Sequence, residues 1–395
     1  LSGIMLLNQN INNIYEGERV RHLTIKALLF TVLMALTGTA LSEYALNLTT
    51  GVTETSRQVY DLHMIILWVC VVIGIIVFGA MIYSIIYHRK SKGAVAAQFH
   101  ESTKMEIVWT IIPIVILVSM AIPATTTLLA MTNTSDADMS IKITGHQWKW
   151  QYDYIEDDIS FVSNLHPEHN KARQLNSGID VSTIDNYLLD VDEPMVIPTG
   201  KKVRFLITAS DVLHAWWVPE LGWKQDAVPG FINEQWTKVD EPGVYRGQCA
   251  ELCGKDHAFM PIVVVAKSPA DYEAWVAEKK GAAVEAAAEG DREWSKDELM
   301  AKGESLYATN CASCHMANGQ GLPAANFPAL AGSAIAIGPA DAHIDIVLNG
   351  KPGTAMASYR ALLSDADMAA IITYERNAWG NDAGIVQPAA IKAAR

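Results

Sequence analysis

Basic residues are in the minority in this sequence. The chain has 395 residues, and 30 Lys and Arg stand against 43 Asp and Glu, which gives a formal net charge of −13. This charge argues against nucleic acid as a partner, because a phosphate backbone attracts basic surfaces. An acidic surface is compatible with a basic protein partner, although it also serves solubility alone. The length allows two or three domains, and no internal repeat is visible.

Cysteine is also scarce, with five residues in the whole chain. Four of them form two close pairs, Cys249/Cys253 and Cys311/Cys314, and Cys70 lies inside an apolar run. In an exported domain, close free thiols normally oxidise to disulfides. A chain that keeps paired thiols there gives them another task, such as metal or cofactor attachment. Cys70 is most simply a small buried hydrophobic residue.

Charge is absent from two long runs near the N-terminus, residues 64–87 and 107–131. Each run is long enough to cross the hydrocarbon core of a membrane. The loop between them carries four basic residues and two acids, so the positive-inside rule places it in the cytoplasm. We therefore predict a two-helix transmembrane hairpin within residues 43–131, with everything after it on the exported side.

Ahead of the hairpin, Arg19, Arg21 and Lys26 precede a short apolar stretch and then a group of small residues. This is the layout of a secretory signal peptide, and the stretch is too short to span a bilayer comfortably. We predict a signal peptide within residues 1–42. A retained third membrane helix is the alternative.

Three textures come after the hairpin. Residues 132–270 contain short alternating stretches separated by Pro and Gly turns, which indicates a small β-sandwich or barrel. Residues 271–292 are rich in Ala and Glu, and we predict a semi-rigid, partly helical linker there. Residues 293–395 have a helical pattern and contain the second cysteine pair.

The first cysteine pair belongs to a set of soft metal ligands. Cys249, Cys253, His257 and Met260 lie close together in the sequence, and His214 lies upstream. A thioether is typical of copper rather than zinc, and a single blue-copper site uses one cysteine. Two thiolates can bridge a pair of copper ions, with one imidazole terminating each metal, and such a pair changes little on reduction. A disulfide or a structural zinc site remains open from the spacing alone.

The surrounding sequence closely resembles the copper-A domain of subunit II of the haem–copper cytochrome c oxidases. The Asp-Val-x-His block that ends at His214, the pattern Gly-Gln-Cys-x-Glu-Leu-Cys-Gly-x-x-His-x-x-Met over residues 247–260 and the aromatic segment 145–154 carry the resemblance. It runs from residue 48 to residue 266 and implies a cupredoxin-like fold with a binuclear CuA centre. The ligands that it implies are His214, Cys249, Glu251 through its backbone carbonyl, Cys253, His257 and Met260.

Three further roles are implied by the same resemblance. The Glu251 carboxylate would bind a magnesium or manganese ion shared with subunit I. Trp148 falls where electrons enter from cytochrome c, and a core aromatic on a strand is the alternative. Glu106 falls at the mouth of a proton channel, and a helix N-terminus would also favour an acid there. Phe231 departs from the family, where a basic residue is common, and this leaves one contact with subunit I open.

The segment Cys311-Ala-Ser-Cys-His315 is the signal for c-type haem attachment, in which both thiols add to the haem vinyl groups and the histidine binds iron. The C-terminal segment resembles an all-α class I cytochrome c. The sixth ligand should be a methionine on the other haem face. Met316 is too close to His315, and Met368 fits a core helix. We predict Met356, although Ala357 follows it where the family usually has Pro.

Together, the two resemblances imply subunit II of a bacterial cytochrome c oxidase with a fused cytochrome c. Electrons would pass from haem c to CuA and on to subunit I, which reduces oxygen to water and pumps protons. The implied partners are subunits I and III, membrane lipid and a soluble or membrane cytochrome c or other donor. The implied location is the bacterial inner membrane, with both redox domains on the periplasmic side.

Three other functions compete with this one. A quinol oxidase subunit II is disfavoured because that branch lacks the copper cysteines. A copper-A and haem c subunit of a nitric oxide reductase is built from similar parts, and the catalytic subunit would decide. A free-standing redox carrier would leave the Glu251 carboxylate without a partner metal.

Overall fold

The structure is a computed structural model that describes residues 47–395. This part of the chain begins with two long apolar helices. Helix α1 is Glu54–Tyr87 and helix α2 is Thr103–Thr132, and both are long and apolar enough to cross a membrane. The predicted hairpin is thus confirmed, and the predicted signal peptide lies outside the described residues. Helix α1 begins upstream of its apolar run because Thr53 and Ser56 form a reciprocal capping box.

The hairpin is joined to the β domain at two points. At the start of α1, the guanidinium of Arg57 lies 2.6 Å from the Asp240 carboxylate. At the end of α2, the indole of Trp236 donates to the carbonyl of Ala130 at 3.0 Å. The N-terminal end of α1 and the C-terminal end of α2 therefore contact the same domain, as expected for a hairpin.

The β domain contains ten strands in three sheets. The five-stranded sheet has the order β3-β2-β1-β5-β8, the three-stranded sheet β4-β10-β9, and the pair β6-β7 completes the sandwich. The strands are β1 Met139–His146, β2 Lys149–Tyr154, β3 Ile159–Ser163, β4 Met195–Pro198, β5 Val203–Ala209, β6 His214–Val218, β7 Trp223–Ala227, β8 Asn233–Thr237, β9 Gly243–Gln248 and β10 Pro261–Lys267. A short helix, α3 (Pro167–Ala172), lies in the long connection from β3 to β4.

Alternating side chains build the core of the sandwich, as the period-two pattern predicts. In β5 every second residue from Val203 to Ala209 is buried. The hydroxyl of Tyr154 donates to the carbonyl of Val196 and accepts from its amide, both at 2.8 Å. Since Tyr154 lies in the five-stranded sheet and Val196 in the three-stranded one, this pair ties the two layers together.

One continuous helix, α4 (Pro269–Asp291), comes after the last strand. Its first turns pack on the sandwich, because Tyr272 and Trp275 are part of the same buried core. The ring of Trp275 lies 5.1 Å from that of Tyr154 and 6.3 Å from that of Phe161. The Ala- and Glu-rich stretch therefore continues a helix whose first turns pack on the β domain, which is also called the copper-side domain because it contains the predicted metal site.

The C-terminal domain is helical, as predicted. Its helices are α5 Lys296–Asn310, α6 Ala312–His315, α7 Ala334–Ile337, α8 Ala340–Asn349, α9 Asp365–Asn377 and α10 Pro388–Ala394. Its core includes the fully buried Leu299 of α5, Leu348 of α8, and Met368 and Ile372 of α9. The three longest helices of the domain therefore share one apolar centre.

Replacing Trp275 with Ala should destabilise the β domain, because the indole is 7% exposed and packs against three aromatic rings. We expect a loss of about 3 kcal/mol in the free energy of unfolding, measured by denaturant unfolding of the detergent-solubilised chain. Val284→Ala on the same helix is the control, because Val284 is 72% exposed and should change stability by less than about 0.5 kcal/mol. Equal effects of the two substitutions would mean that α4 is not anchored through Trp275.

Candidate metal centre and haem site

Two thiols and two imidazoles form a row at one end of the sandwich. The loop between β9 and β10, residues 249–260, is called here the cysteine loop; it carries Cys249, Cys253 and His257, and His214 begins β6. The Sγ atoms of Cys249 and Cys253 are 3.8 Å apart. The Nδ1 atom of His214 lies 3.9 Å from Cys249 Sγ, and that of His257 lies 3.5 Å from Cys253 Sγ. Each thiol thus has its own imidazole.

The other two predicted ligands lie in the same loop. The carbonyl oxygen of Glu251 is 3.4 Å from Cys249 Sγ. Met260 is 1% exposed and is buried in the same core cluster as both cysteines. The structure therefore brings a backbone carbonyl and the residue that carries the thioether to the thiol pair.

Neighbouring groups separate the acidities of the two thiols. The hydrogen bond between the Cys249 and Cys253 sulfurs lowers the pKa of Cys249 far below its usual range and raises that of Cys253. One thiolate therefore forms readily, and the second proton must be displaced by the metal itself. Both sulfurs are buried, and both cysteines are free.

Asp211 holds the imidazole of His214 through the ring nitrogen that does not face Cys249. The Nε2 atom of His214 lies 2.9 Å from Asp211 Oδ1, which leaves Nδ1 facing Cys249. Burial alone would lower the pKa of His214, but the hydrogen bonds to Asp211 and Cys249 raise it on balance. Gly145 makes room for the ring, because a Cβ atom there would lie 2.8 Å from His214 Cδ2. A carboxylate behind an imidazole ligand is a common way to fix its orientation.

The turn between β1 and β2 lies directly on the cysteine loop. The side-chain amide of Gln147 and the indole of Trp148 both donate to the carbonyl of Cys253, at 2.8 and 3.2 Å. Gly254 allows this approach, because it has φ +116° and a Cβ atom there would lie 2.9 Å from Gln147 Nε2. Trp148, the predicted entry point for electrons, is thus hydrogen-bonded to a ligand residue.

A second contact holds the other end of the loop. The guanidinium of Arg173 meets the buried carboxylate of Asp256 at 3.1 and 3.3 Å and stacks over the ring of Phe259 at 4.2 Å. Asp256 and Phe259 flank His257 in the sequence. This two-pronged contact therefore fixes the segment that carries the second imidazole.

The attachment motif lines a cavity of about 580 Å³ in the C-terminal domain. Cys311, Cys314, His315 and Met356 all face it, among mainly apolar side chains. Its volume is within the range of about 300–1,000 Å³ that is typical of cofactor sites. The Nδ1 atom of His315 lies 2.8 Å from the carbonyl of Pro328, which can only accept. His315 therefore donates from Nδ1 and keeps Nε2 for a metal.

The three candidate methionines have different surroundings. Met356 lines the cavity. Met368 is fully buried in α9, and Met316 directly follows His315 and is 37% exposed. Of the three, only Met356 lines the cavity with His315, and it is the methionine predicted as a ligand.

Both sites fit the groups that the sequence implies. Two thiolates, two imidazoles, a thioether and a carbonyl are a ligand set that suits copper. An apolar cavity with two thiols and a histidine that has one free ring nitrogen suits a covalently bound haem. Of the other predicted site residues, Glu106 lies in the first turn of α2, far along the chain from both sites.

Together, two membrane-length helices, a β-sandwich with a thiolate metal site and a helical domain with a haem cavity define a membrane-anchored electron-transfer protein. Family comparisons agree. Residues 41–126 match the family described as cytochrome c oxidase subunit II, transmembrane domain, and residues 139–267 match its periplasmic domain. Residues 298–374 match the family described as cytochrome c oxidase, cbb3-type, subunit III.

Curated relatives have the same name. A probable cytochrome c oxidase subunit 2 of Rickettsia bellii is 41% identical over 224 residues, which cover 56% of this chain and 80% of the relative. The cytochrome c oxidase subunit 2 of Cereibacter sphaeroides is 35% identical over 238 residues, covering 58% and 78%. The solved periplasmic domain of cytochrome oxidase subunit II of Bradyrhizobium japonicum is 38% identical, covers 38% of this chain and 97% of that one, and has a TM-score of 0.33.

The chain belongs to the cytochrome c oxidase subunit II family and has a cytochrome c domain at its C-terminal end. Its subunit II domain implies a CuA copper centre and its cytochrome domain implies haem c. The predicted family and fold class are therefore confirmed.

Several residues at these sites were not predicted from the sequence. Asp211 had a signal, because it lies three residues before His214 in the block that carries the resemblance. Lys149 lies in the aromatic segment 145–154 that also carries the resemblance, but its alternating pattern is that of an ordinary strand residue. Arg173 had no signal, since it lies 83 residues from Asp256 along the chain. Only the folded chain brings them to the sites.

Replacing Asp211 with Asn should weaken copper binding about 10- to 100-fold, because the imidazole of His214 loses the carboxylate that orients it. Copper affinity can be measured by competition with a chelator of known affinity on the purified chain. The control is Asp226→Asn, an exposed carboxylate on β7. An unchanged affinity in the Asp211 variant would show that His214 does not depend on this hydrogen bond.

Replacing Met356 with Leu should remove the sixth haem ligand. We expect the haem potential to fall on the order of 0.1 V, and the reduced haem should bind carbon monoxide. Met368→Leu is the matched control and should change neither property, because this side chain lies in the core of α9. If instead Met368→Leu lowers the potential and lets the reduced haem bind carbon monoxide, while Met356→Leu does neither, the ligand is Met368.

Proposed function

We propose that this chain is the electron-input subunit of a bacterial cytochrome c oxidase. It accepts electrons through a covalent haem c held by Cys311, Cys314, His315 and Met356, and a binuclear CuA centre passes them to subunit I. There oxygen is reduced to water, coupled to proton pumping. The proposed copper ligands are His214, Cys249, Cys253, His257, Met260 and the carbonyl of Glu251.

One observation carries this proposal. The cavity that fits the haem is lined on one side by residues of the copper-side domain, His146, Gln147 and Lys149. Gln147 also donates to the carbonyl of Cys253. A single side chain thus touches both the haem cavity and a thiolate residue of the metal site. This leaves a short route between the two centres through groups in direct contact.

The symmetry of the thiol row supports a pair of copper ions. Each of Cys249 and Cys253 has an imidazole within 4 Å, and the two sulfurs are 3.8 Å apart. A tetrahedral structural zinc would use the same four side chains, but it would leave the buried Met260 and the Glu251 carbonyl without a role. Burial, together with the hydrogen bonds that neighbouring residues make to the proposed ligands, keeps these ligands in one geometry, which suits fast electron transfer.

Exposed apolar side chains in two loops support contact with another subunit. Leu252 of the cysteine loop is 76% exposed, although it lies between Glu251 and Cys253. Phe231 and Ile232, between β7 and β8, are 69% and 62% exposed, and exposed apolar side chains of this size are candidates for an interface. We propose that subunit I covers these side chains, with the Glu251 carboxylate sharing a magnesium or manganese ion there. Glu106 would face a proton channel of the same subunit, and subunit III would complete the complex.

The donor would reach the haem domain from the periplasmic side of the inner membrane. The acidic loop at Glu156, Asp157 and Asp158 is a candidate docking surface for a basic cytochrome c. Asp157 accepts from the hydroxyl of Tyr272 at 2.8 Å, and Glu156 accepts from the amide of Ser140 at 2.9 Å. Both carboxylates are therefore hydrogen-bonded within the domain but keep their charge, and the neighbouring Asp158 is exposed. We propose this loop as a docking surface for a basic donor, with a solvated loop as the alternative.

Replacing Cys253 with Ser tests the relay in the purified oxidase complex. In the unaltered complex this chain should hold about two copper ions per haem c, in addition to the copper of subunit I, and oxygen should oxidise the reduced haem rapidly. In the variant the haem should still accept electrons, while its oxidation by oxygen is lost. Metal analysis and stopped-flow spectroscopy of the haem measure these quantities.

Three results would contradict parts of the proposal. Zinc in place of copper would overturn the metal assignment. Rapid haem oxidation in the Cys253 variant would place the route elsewhere. Turnover of nitric oxide with no turnover of oxygen would assign the chain to the rival reductase.

A further inference from the structure

The copper-side domain holds the haem domain at the segment that attaches the haem. This segment, residues 308–313, is called here the attachment segment, and it covers the last turn of α5 and the start of the cysteine motif. Three donors of the copper-side domain reach it: Asn170 Nδ2 to the carbonyl of Ala308 at 3.4 Å, Lys149 Nζ to Asn310 Oδ1 at 3.2 Å, and Lys255 Nζ to the carbonyl of Ser313.

The direction of these contacts suits the end of a helix. The last carbonyls of a helix lack partners within it and carry a partial negative charge. Helix α5 ends at Asn310, and the side-chain amide of Asn170 donates to one of its last carbonyls, that of Ala308. The ammonium of Lys149 meets the Asn310 side chain beside this end, and that of Lys255 meets the carbonyl of Ser313 in the following helix. The electrostatic attraction therefore acts between the two domains and favours the docked arrangement.

Lys149 is the buried member of the three. It is 5% exposed, whereas Lys255 is exposed. Its ammonium lies 4.4 Å from the ring centre of Tyr359, and the hydroxyl of Tyr359 donates to the carbonyl of Asn310 at 2.9 Å. Burial lowers the pKa of Lys149 to about 8, so the charge is present at neutral pH. A buried ammonium between an amide oxygen and an aromatic face is a specific contact.

The position of Lys149 in the chain links this contact to the metal site. It directly follows Gln147 and Trp148, which both donate to the carbonyl of Cys253. Gln147 and Lys149 also line the haem cavity. Fixing Lys149 against Asn310 therefore fixes the cavity against the cysteine loop.

Asn170 joins the same arrangement through Arg173. The Nε atom of Arg173 donates to Asn170 Oδ1 at 2.8 Å, while its terminal nitrogens hold Asp256 beside His257. The long connection from β3 to β4 thus contacts both the cysteine loop and the attachment segment. Two independent parts of the copper-side domain converge on one turn of the haem domain.

We propose that Lys149 is a positioning residue that locks the haem domain onto the copper-side domain through Asn310 and Tyr359, so that electrons cross within the chain in one fixed arrangement. The docking role stands on the contacts alone. Its consequence for electron transfer rests on the proposed function.

The test uses Lys149→Met in the assembled oxidase, with Lys149→Arg as the conservative variant and Lys224→Met, an exposed lysine on β7, as the control. Docking is measured by hydrogen exchange of residues 308–313 and by amine labelling of Lys255. Loss of a charged, buried hydrogen bond should raise both about tenfold in Lys149→Met. The arginine variant should keep most of the protection, and the control should match the unaltered chain.

Two redox measurements separate positioning from simple charge. Removing a positive charge near the haem should lower its midpoint potential by Coulomb's law, because the oxidised haem carries one more positive charge than the reduced haem. A lower potential increases the driving force towards copper. A lost docking contact should nevertheless slow haem-to-copper transfer about tenfold. Slower transfer despite greater driving force is therefore the expected signature.

The other outcomes each decide the question. If hydrogen exchange of residues 308–313 and labelling of Lys255 are unchanged in Lys149→Met, the docking role is overturned. If electron transfer from haem to copper is also faster, Lys149 acts through its charge alone. If Lys149→Met loses its copper or haem spectrum, Asn310→Ala replaces it, because this change removes the same hydrogen bond from the haem-domain side. Faster exchange of residues 308–313 and faster labelling of Lys255 are expected, and no change in either contradicts the proposal. A complex in which haem never reduces copper contradicts the proposed function, while the exchange measurement still tests docking.

Discussion

The carboxylate of Asp211 is the contact on which the arrangement of both sites depends. Its Oδ1 atom accepts from the amide of Val212 at 2.7 Å and meets Nε2 of His214 at 2.9 Å, and its Oδ2 atom accepts from the amide of Gln147 at 2.7 Å. Burial alone would raise the pKa of Asp211, but these hydrogen bonds lower it on balance. The group therefore stays ionised and fixes at once an imidazole of the metal site and the turn that reaches the haem cavity.

The metal site and the haem cavity are stabilised in different ways. The cysteine loop is held by polar contacts from outside it, from Gln147, Trp148 and Arg173. The haem cavity is surrounded mainly by apolar side chains, and among its polar contacts is the one from His315 to the Pro328 carbonyl. A thiolate site needs its ligands aimed, since metal geometry is directional. A haem needs chiefly apolar surface, which is less directional.

Most of the fold and the ligand set could be predicted because their signals are local in the sequence. The uncharged runs, the period-two strands, the cysteine loop and the Cys311–His315 motif each lie within one short segment. The contacts that join segments could not be predicted in this way. Lys149 has the pattern of an ordinary strand residue, and its partner Asn310 is 161 residues away. Such pairs depend on how two domains pack, which no local periodicity encodes. The ligand roles themselves remain predictions.

The number of residues in helix α4 sets the rotation of the haem domain relative to the β domain. Trp275 anchors one end in the sandwich, while at the other end the Glu289 carbonyl accepts from the Trp294 indole at 3.0 Å and Asp291 pairs with Lys392 at 2.6 Å. Each residue added to a helix turns the rest of the chain by about 100° and advances it by about 1.5 Å. A single insertion in α4 would therefore carry the attachment segment away from Lys149 with almost no change in reach. A change of one whole turn would restore the angle but shift the attachment segment by about 5.4 Å, so this connection sets the angular phase between the domains as well as the distance that it spans.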